Sequence, residues 1–180
     1  ANPAPLILLL NTTIGDGRGP NLVLVKRITN VTRNGNTLPG VNFGAVIDDP
    51  TSRNDNAPGW VQTALTGILA LSTDNPVQSG DEVTYTVYFL SNGTDPATDT
   101  SLCDLIPGGT TYVPGSLQIS QNNRPPVSGG TFLTPLTPLP ANNSCLIQTN
   151  PNGATITELG TVSNAPGSNF GFIRFRVRVN

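Results

Sequence analysis

The sequence predicts an all-β protein, a Greek-key immunoglobulin-like β-sandwich with an apolar extension strand at its N-terminus. Three observations carry this. In residues 82–90, Val83, Tyr85, Val87 and Phe89 alternate with Glu82, Thr84, Thr86 and Tyr88, a period of two built from β-branched and aromatic residues. The chain holds 19 Gly and 17 Pro, so turns recur often and long helices are excluded. Near the end, Ile173, Phe175, Val177 and Val179 take one side of a strand while Arg174, Arg176 and Arg178 take the other. At 180 residues one such domain with an appendage is expected. Residues 1–20 form a donor-like strand and Gly-rich connector, and residues 21–180 form one sandwich with a long loop at 33–60.

In chain order, Leu6, Ile7, Leu8, Leu9 and Leu10 are apolar at both parities. A strand of that kind belongs inside a structure, not at an exposed edge. Pro3 and Pro5 prevent a helical start, and a flexible Gly15-Asp16-Gly17-Arg18-Gly19-Pro20 connector follows. Residues 21–31 read as a long strand that turns at Asn34-Gly35. The Asn/Asp/Pro/Gly-rich loop either serves a function or drapes over an open sheet end. Further strands are expected at 61–71, in the central stretch between its Ser79-Gly80-Asp81 and Ser91-Asn92-Gly93 turns, and at 98–105, 110–113, 116–120, 131–133, 145–148, 154–162 and 170–179.

Only 11% of residues are charged and the net charge is −2, against a typical charged quarter. No nucleic-acid footprint results. With no histidine the commonest general base and metal ligand are missing, so no enzyme, cofactor or metal site is expected. Cys103 and Cys145 are the two cysteines, and an export-like composition favours a disulfide between them over two buried thiols. The longest apolar run is far short of the ~20 residues of a membrane helix. The small residues opening a chain without methionine fit cleavage of a signal peptide and an extracellular or cell-surface location.

Several constellations have a plain and a sharper reading. The arginines at 174, 176 and 178 form either a solvated or cross-strand-paired face, or interface charges for a neighbouring subunit. Asp48, Asp49, Asp55 and Asn56 are turn residues, or oxygen ligands for calcium. Trp60, Tyr85, Tyr88 and Tyr112 fill the core, or shape a sugar-binding shelf. Lys26, the sole lysine, either snorkels or pairs with an acid, or forms an isopeptide bond to an asparagine such as Asn180. The Asn11, Asn30, Asn92 and Asn142 sequons matter only in a host that glycosylates.

From about residue 73 onward, the segments Val77-Gln78-Ser79-Gly80-Asp81-Glu82-Val83-Thr84-Tyr85-Thr86-Val87, Thr100-Ser101-Leu102-Cys103-Asp104-Leu105-Ile106-Pro107, Thr111-Tyr112-Val113-Pro114-Gly115-Ser116 and Gly171-Phe172-Ile173-Arg174-Phe175-Arg176-Val177 resemble the bacterial surface-repeat family known as domain of unknown function eleven. With residues 22–29 and Asp48-Asp49-Pro50 added, the body resembles a cyanobacterial exported variant of it. The resemblance implies an immunoglobulin-like sandwich with structural or adhesive roles and no enzymatic activity. Such domains usually recur in tandem; this chain holds one, preceded by the apolar strand.

The expected function is therefore a structural subunit of an extracellular fibre, a head-to-tail homopolymer in which residues 4–12 enter the adjacent subunit by β-augmentation. Burying the five apolar side chains contributes on the order of 10 kcal/mol. The connector spans up to ~25 Å when extended. The rival expectation is a monomeric surface or adhesive module whose first strand pairs in its own sheet, with surface glycans as partners.

Overall fold

The computed structural model describes residues 19–61, 65–141, 145 and 149–180. Among them there are ten strands and no helix: β1 (Leu22–Arg33), β2 (Asn36–Thr37), β3 (Glu82–Ser91), β4 (Ala97–Leu105), β5 (Thr110–Tyr112), β6 (Gln118–Gln121), β7 (Val127–Ser128), β8 (Thr131–Leu133), β9 (Ala154–Val162) and β10 (Phe170–Val179). They form two antiparallel sheets. The larger runs β2-β1-β3-β10-β6-β7, with β5 also paired to β10, and the smaller runs β4-β9-β8. The last strand thus returns to lie against β3, Phe175 opposite Tyr85 and Ile173 opposite Val87. Beyond it, β6 takes the first half of the β10 edge and β5 the second.

The central alternation sets the core. Val83, Tyr85, Val87 and Phe89 face the smaller sheet, in register with Val31, Ile28, Lys26 and Leu24 of β1. Two apolar clusters fill the space between the sheets. One gathers Tyr85, Phe175, Val177, Tyr112, Leu117 and Ile106. The other joins Val87, Phe89 and Ile173 to Leu102 and Leu159 of the smaller sheet. Phe89, Phe175, Val87 and Ile173 are wholly buried, and each such side chain contributes about 1.5–3 kcal/mol by leaving water.

The β1–β2 hairpin closes at Asn34-Gly35, both at positive φ (52° and 81°). A two-residue turn whose twist matches the strands demands that conformation. After it, the described residues between 38 and 81 hold no strand, so the excursion is longer than the expected 33–60 loop: Leu38, Phe43, Ile47, Ile68 and Leu71 join the cluster of Ile28, Val31 and Tyr85, while Trp60 and Leu65 lie on the outer face of the larger sheet. The strand expected at 61–71 does not form in its described part: residues 65–71 pair as β-structure only through single bridges, Ile28 with Ile68 and Val46 with Thr66. At Gly67 a Cβ would lie 2.7 Å from Arg27 Cβ and 2.9 Å from the Ile28 carbonyl. The chain meets the β1 edge here through the reciprocal Ile28 and Ile68 backbone hydrogen bonds, each 2.9 Å, and only a glycine allows so close an approach. Of the strand expected at 145–148, only Cys145 is described, outside any strand.

Candidate functional site

Two places gather polar groups around this frame: the outer face of the larger sheet, and a charged pair inside the sandwich. The outer site begins with Arg27. Between the inward Lys26 and Ile28 of β1, alternation points it away from the core, against residues 47–55, where it is 3% exposed. Its guanidinium donates to Asp55 Oδ2 at 2.8 Å and to the Ile47 carbonyl at 3.1 Å. Asp55 Oδ2 also accepts the Asp49 N–H at 2.7 Å. Next to it, Asn54 donates to the Leu24 carbonyl and its own carbonyl accepts the Trp60 indole N–H at 2.6 Å. These bonds set Trp60 and Leu65 against Val25, Tyr88 and Phe172.

At the far end of the excursion Arg33 grips Asp81 with both arms of its fork, Nε to Oδ1 at 2.9 Å and Nη2 to Oδ2 at 2.8 Å. The Arg33 hydrogen bond holds the Asp81 carboxyl below the usual carboxylate range, helped by the Gln78 N–H and opposed by burial. One fork therefore ties the start of the excursion to its end.

What the excursion leaves open is a groove of about 360 Å³ lined by Trp60, Tyr88, Phe172, Thr86, Asn123 and Arg174. A second hollow of about 310 Å³, along Thr84, Gln118, Arg174 and Arg176, adjoins it. Arg174 lines both; its guanidinium carbon lies 5.7 Å from the Phe172 ring centre and its Nε donates to Gln118. The Tyr88 hydroxyl donates to the Thr66 carbonyl at 2.9 Å, and burial raises its pKa, so it is a neutral phenol. Aromatic faces beside hydroxyl, amide and guanidinium groups suit a neutral polyhydroxyl ligand.

The charged pair inside the sandwich is Lys26 with Asp104. Lys26 shares the inward parity of Leu22 and Leu24, and lies opposite Val87. Asp104 shares the inward parity of Leu102 on β4. Lys26 Nζ is 2.8 Å from Asp104 Oδ1 and 2.7 Å from Oδ2, with side-chain exposures of 14% and 3%. Apart from the lysine, Oδ2 has no partner. The ammonium also lies 4.6 Å from the Tyr85 ring centre and 5.6 Å from that of Phe175. Burial pushes the Asp104 carboxyl up; the Lys26 charge and hydrogen bond pull it the other way without prevailing.

The structure distributes the sequence-derived candidates as follows. Trp60 and Tyr88 line the groove, whereas Tyr85 packs against Phe175 and Tyr112 stacks on Phe132 at 4.2 Å. Arg176 and Arg178 both bond Glu82, at 2.8 and 2.6 Å, across the strand pairing. Cys103 and Cys145 form a disulfide with Cα atoms 5.0 Å apart, under which Leu105, Leu139, Ala154 and Ile156 cover the outer face of the smaller sheet. Asp48 accepts from Asn56, and Asp49 from Thr51. Among the described residues no three His, Cys, Asp or Glu side chains gather for a metal. The isopeptide partner named from the sequence is corrected: Asn180 Oδ1 accepts from the Thr111 hydroxyl, and the lysine meets Asp104 instead. Leu6, Ile7, Leu8, Leu9 and Leu10 lie outside the described residues, as do Asn11 and Asn142. Sequence reasoning missed Asp104, although its parity with Leu102 marks it as inward; it also missed Phe172 and Arg174 as groove walls.

No protein-family model, no curated protein and no solved structure matches this chain. No described helix is long and apolar enough to cross a membrane.

Proposed function

We propose that the chain is a non-enzymatic structural subunit of an extracellular fibre, which polymerises when residues 4–12 of one subunit add as a β-strand to the next. The observation that carries the reading is the inequality of the two sheets. A three-stranded sheet ends, among the described strands, on the nine-residue β4 and the three-residue β8, and faces a larger sheet of seven strands. A further strand at either end widens the smaller sheet over that apolar face. The N-terminal pentad, apolar at both parities, has the composition of a strand covered on both sides. The disulfide supports an oxidising, extracellular setting, in keeping with the resemblance to bacterial surface repeats. An asymmetric contact of this type does not close, so it propagates.

Size-exclusion chromatography and negative-stain imaging of the full chain and of a chain starting at Asn21 test this. The full chain is expected to assemble into fibres and the short one to run as a monomer. A monomeric full chain, or assembly that survives the truncation, refutes it. A specific observation favours a second reading, a surface adhesion module: the groove between Trp60, Tyr88, Phe172 and Arg174. Glycan retention that is lost in Trp60→Ala would support that one.

A further inference from the structure

We infer that Lys26 and Asp104 condense spontaneously into a side-chain amide that joins the two sheets of the sandwich through its core. This does not depend on the fibre reading, since both residues belong to one folded chain. The geometry is that of two reactants held together. Nζ is nearly equidistant from the two carboxyl oxygens (2.8 and 2.7 Å). It therefore sits on the plane that bisects the carboxyl group, and a turn about the Asp104 Cβ–Cγ bond presents the face of Cγ to it, the alignment that attack requires. β1 fixes one partner and β4 the other, in opposite sheets. Neither can leave without opening the core, so the encounter entropy is spent in folding.

The surroundings favour the chemistry over the ion pair. An ammonium and a carboxylate in an apolar interior are costly to desolvate. Moving one proton from Nζ to an Asp104 oxygen replaces them with a neutral amine and a neutral carboxylic acid. The rings of Tyr85 and Phe175, with centres 4.6 and 5.6 Å from Nζ, cover the lysine, whose side chain is 14% exposed. Burial raises the Asp104 pKa, which favours the acid form from which a hydroxyl can depart. The Nζ lone pair then attacks Cγ to give a tetrahedral centre. A second proton passes from nitrogen to the leaving oxygen, the Cγ–O bond breaks, and water departs. The three protons of the ammonium are accounted for by one amide N–H and one water; no oxidant, metal or cofactor takes part. Once formed, the amide removes both charges from the core.

The test is the mass of the folded, secreted or refolded chain after reduction of its disulfide. The expected mass is that of the sequence less one water, and digestion yields a branched peptide joining residue 26 to residue 104. The Lys26→Arg chain is expected at full sequence mass. A wild-type chain at full mass after prolonged incubation at neutral pH overturns the inference. So does a water loss that maps elsewhere, notably to a succinimide at Asp16-Gly17, or one that persists in Lys26→Arg. The readout does not depend on assembly, so a monomeric chain that carries the amide refutes the fibre alone.

Discussion

Replacing Asp55 by alanine tests how the outer face is built. Among the described residues Asp55 is the only carboxylate bonded to Arg27, and the two side chains are 6% and 3% exposed. Without it the guanidinium keeps the carbonyls of Ile47 and Lys26 but no counter-charge, and the Asp49 N–H loses its acceptor. Breaking a buried pair from one side costs about 3–5 kcal/mol, a large part of the roughly 5–15 kcal/mol that holds a domain together. The protein has one way to limit the loss, which is to release the 38–81 excursion and let water reach Arg27. The cost is then capped by the free energy of local opening. Trp60, the single tryptophan, sits in that excursion and reports on it by fluorescence, while far-UV circular dichroism reports on the sheets. In urea, Asp55→Ala is expected to lower the fluorescence midpoint by about 2 M for a slope near 2 kcal/mol per M. The dichroism midpoint falls less if the excursion opens first. The double replacement Arg27→Leu with Asp55→Leu is expected to recover most of the loss, because a well-packed apolar pair has no charge to desolvate. A change below about 0.5 kcal/mol by both probes in Asp55→Ala, the scatter of surface substitutions, would refute the argument.

Acid unfolding separates two carboxylates of opposite sign. The Asp81 pKa is lowered by Arg33, so its contribution is present above the ordinary carboxylate value and is lost as pH falls through the depressed one. Asp81→Asn is expected to flatten the acid limb of a stability-versus-pH curve, and an unchanged limb counts against the clamp. The Asp104 pKa is raised: where it still titrates, stability rises as pH falls from its raised value towards the ordinary one. A chain joined through the amide lacks that component. Reducing Cys103–Cys145, which are 42 residues apart, is expected to cost up to ~4 kcal/mol in the chain-entropy model, measured by denaturation with and without reductant; coincident curves would show that the staple adds nothing.

Much of the frame was legible in the residues. The alternation of Val83, Tyr85, Val87 and Phe89 specifies a face, because successive side chains on a strand point to opposite sides. The observed inward set is that one. β8, β9 and β10 start and stop where Thr131–Leu133, Ala154–Val162 and Phe170–Val179 were expected. The miss at 65–71 has a physical cause. Leu65 and Ile68 are apolar and buried, and apolar spacing in so short a run does not distinguish pairing along a strand from packing across one. The aromatics follow the alternation instead: Tyr85 and Tyr88, three residues apart on one strand, point to opposite faces, one into the core and the other into the groove wall.

By itself, then, the amino-acid order determined the all-β class, the inward face of the two long hydrophobic strands, the Asn34-Gly35 turn and the choice of two cysteines for a disulfide. The first three are local properties, set by backbone sterics and by the period of side-chain direction; the disulfide followed from composition, with only two cysteines to join. Only the tertiary structure decided that Lys26 meets Asp104, that Arg27 meets Asp55, and that Trp60, Phe172 and Arg174 share a wall. Those pairs join residues 78, 28 and more than a hundred positions apart. Which charge neutralises which depends on how two sheets and a crossing loop stack, and no local pattern in the chain encodes that.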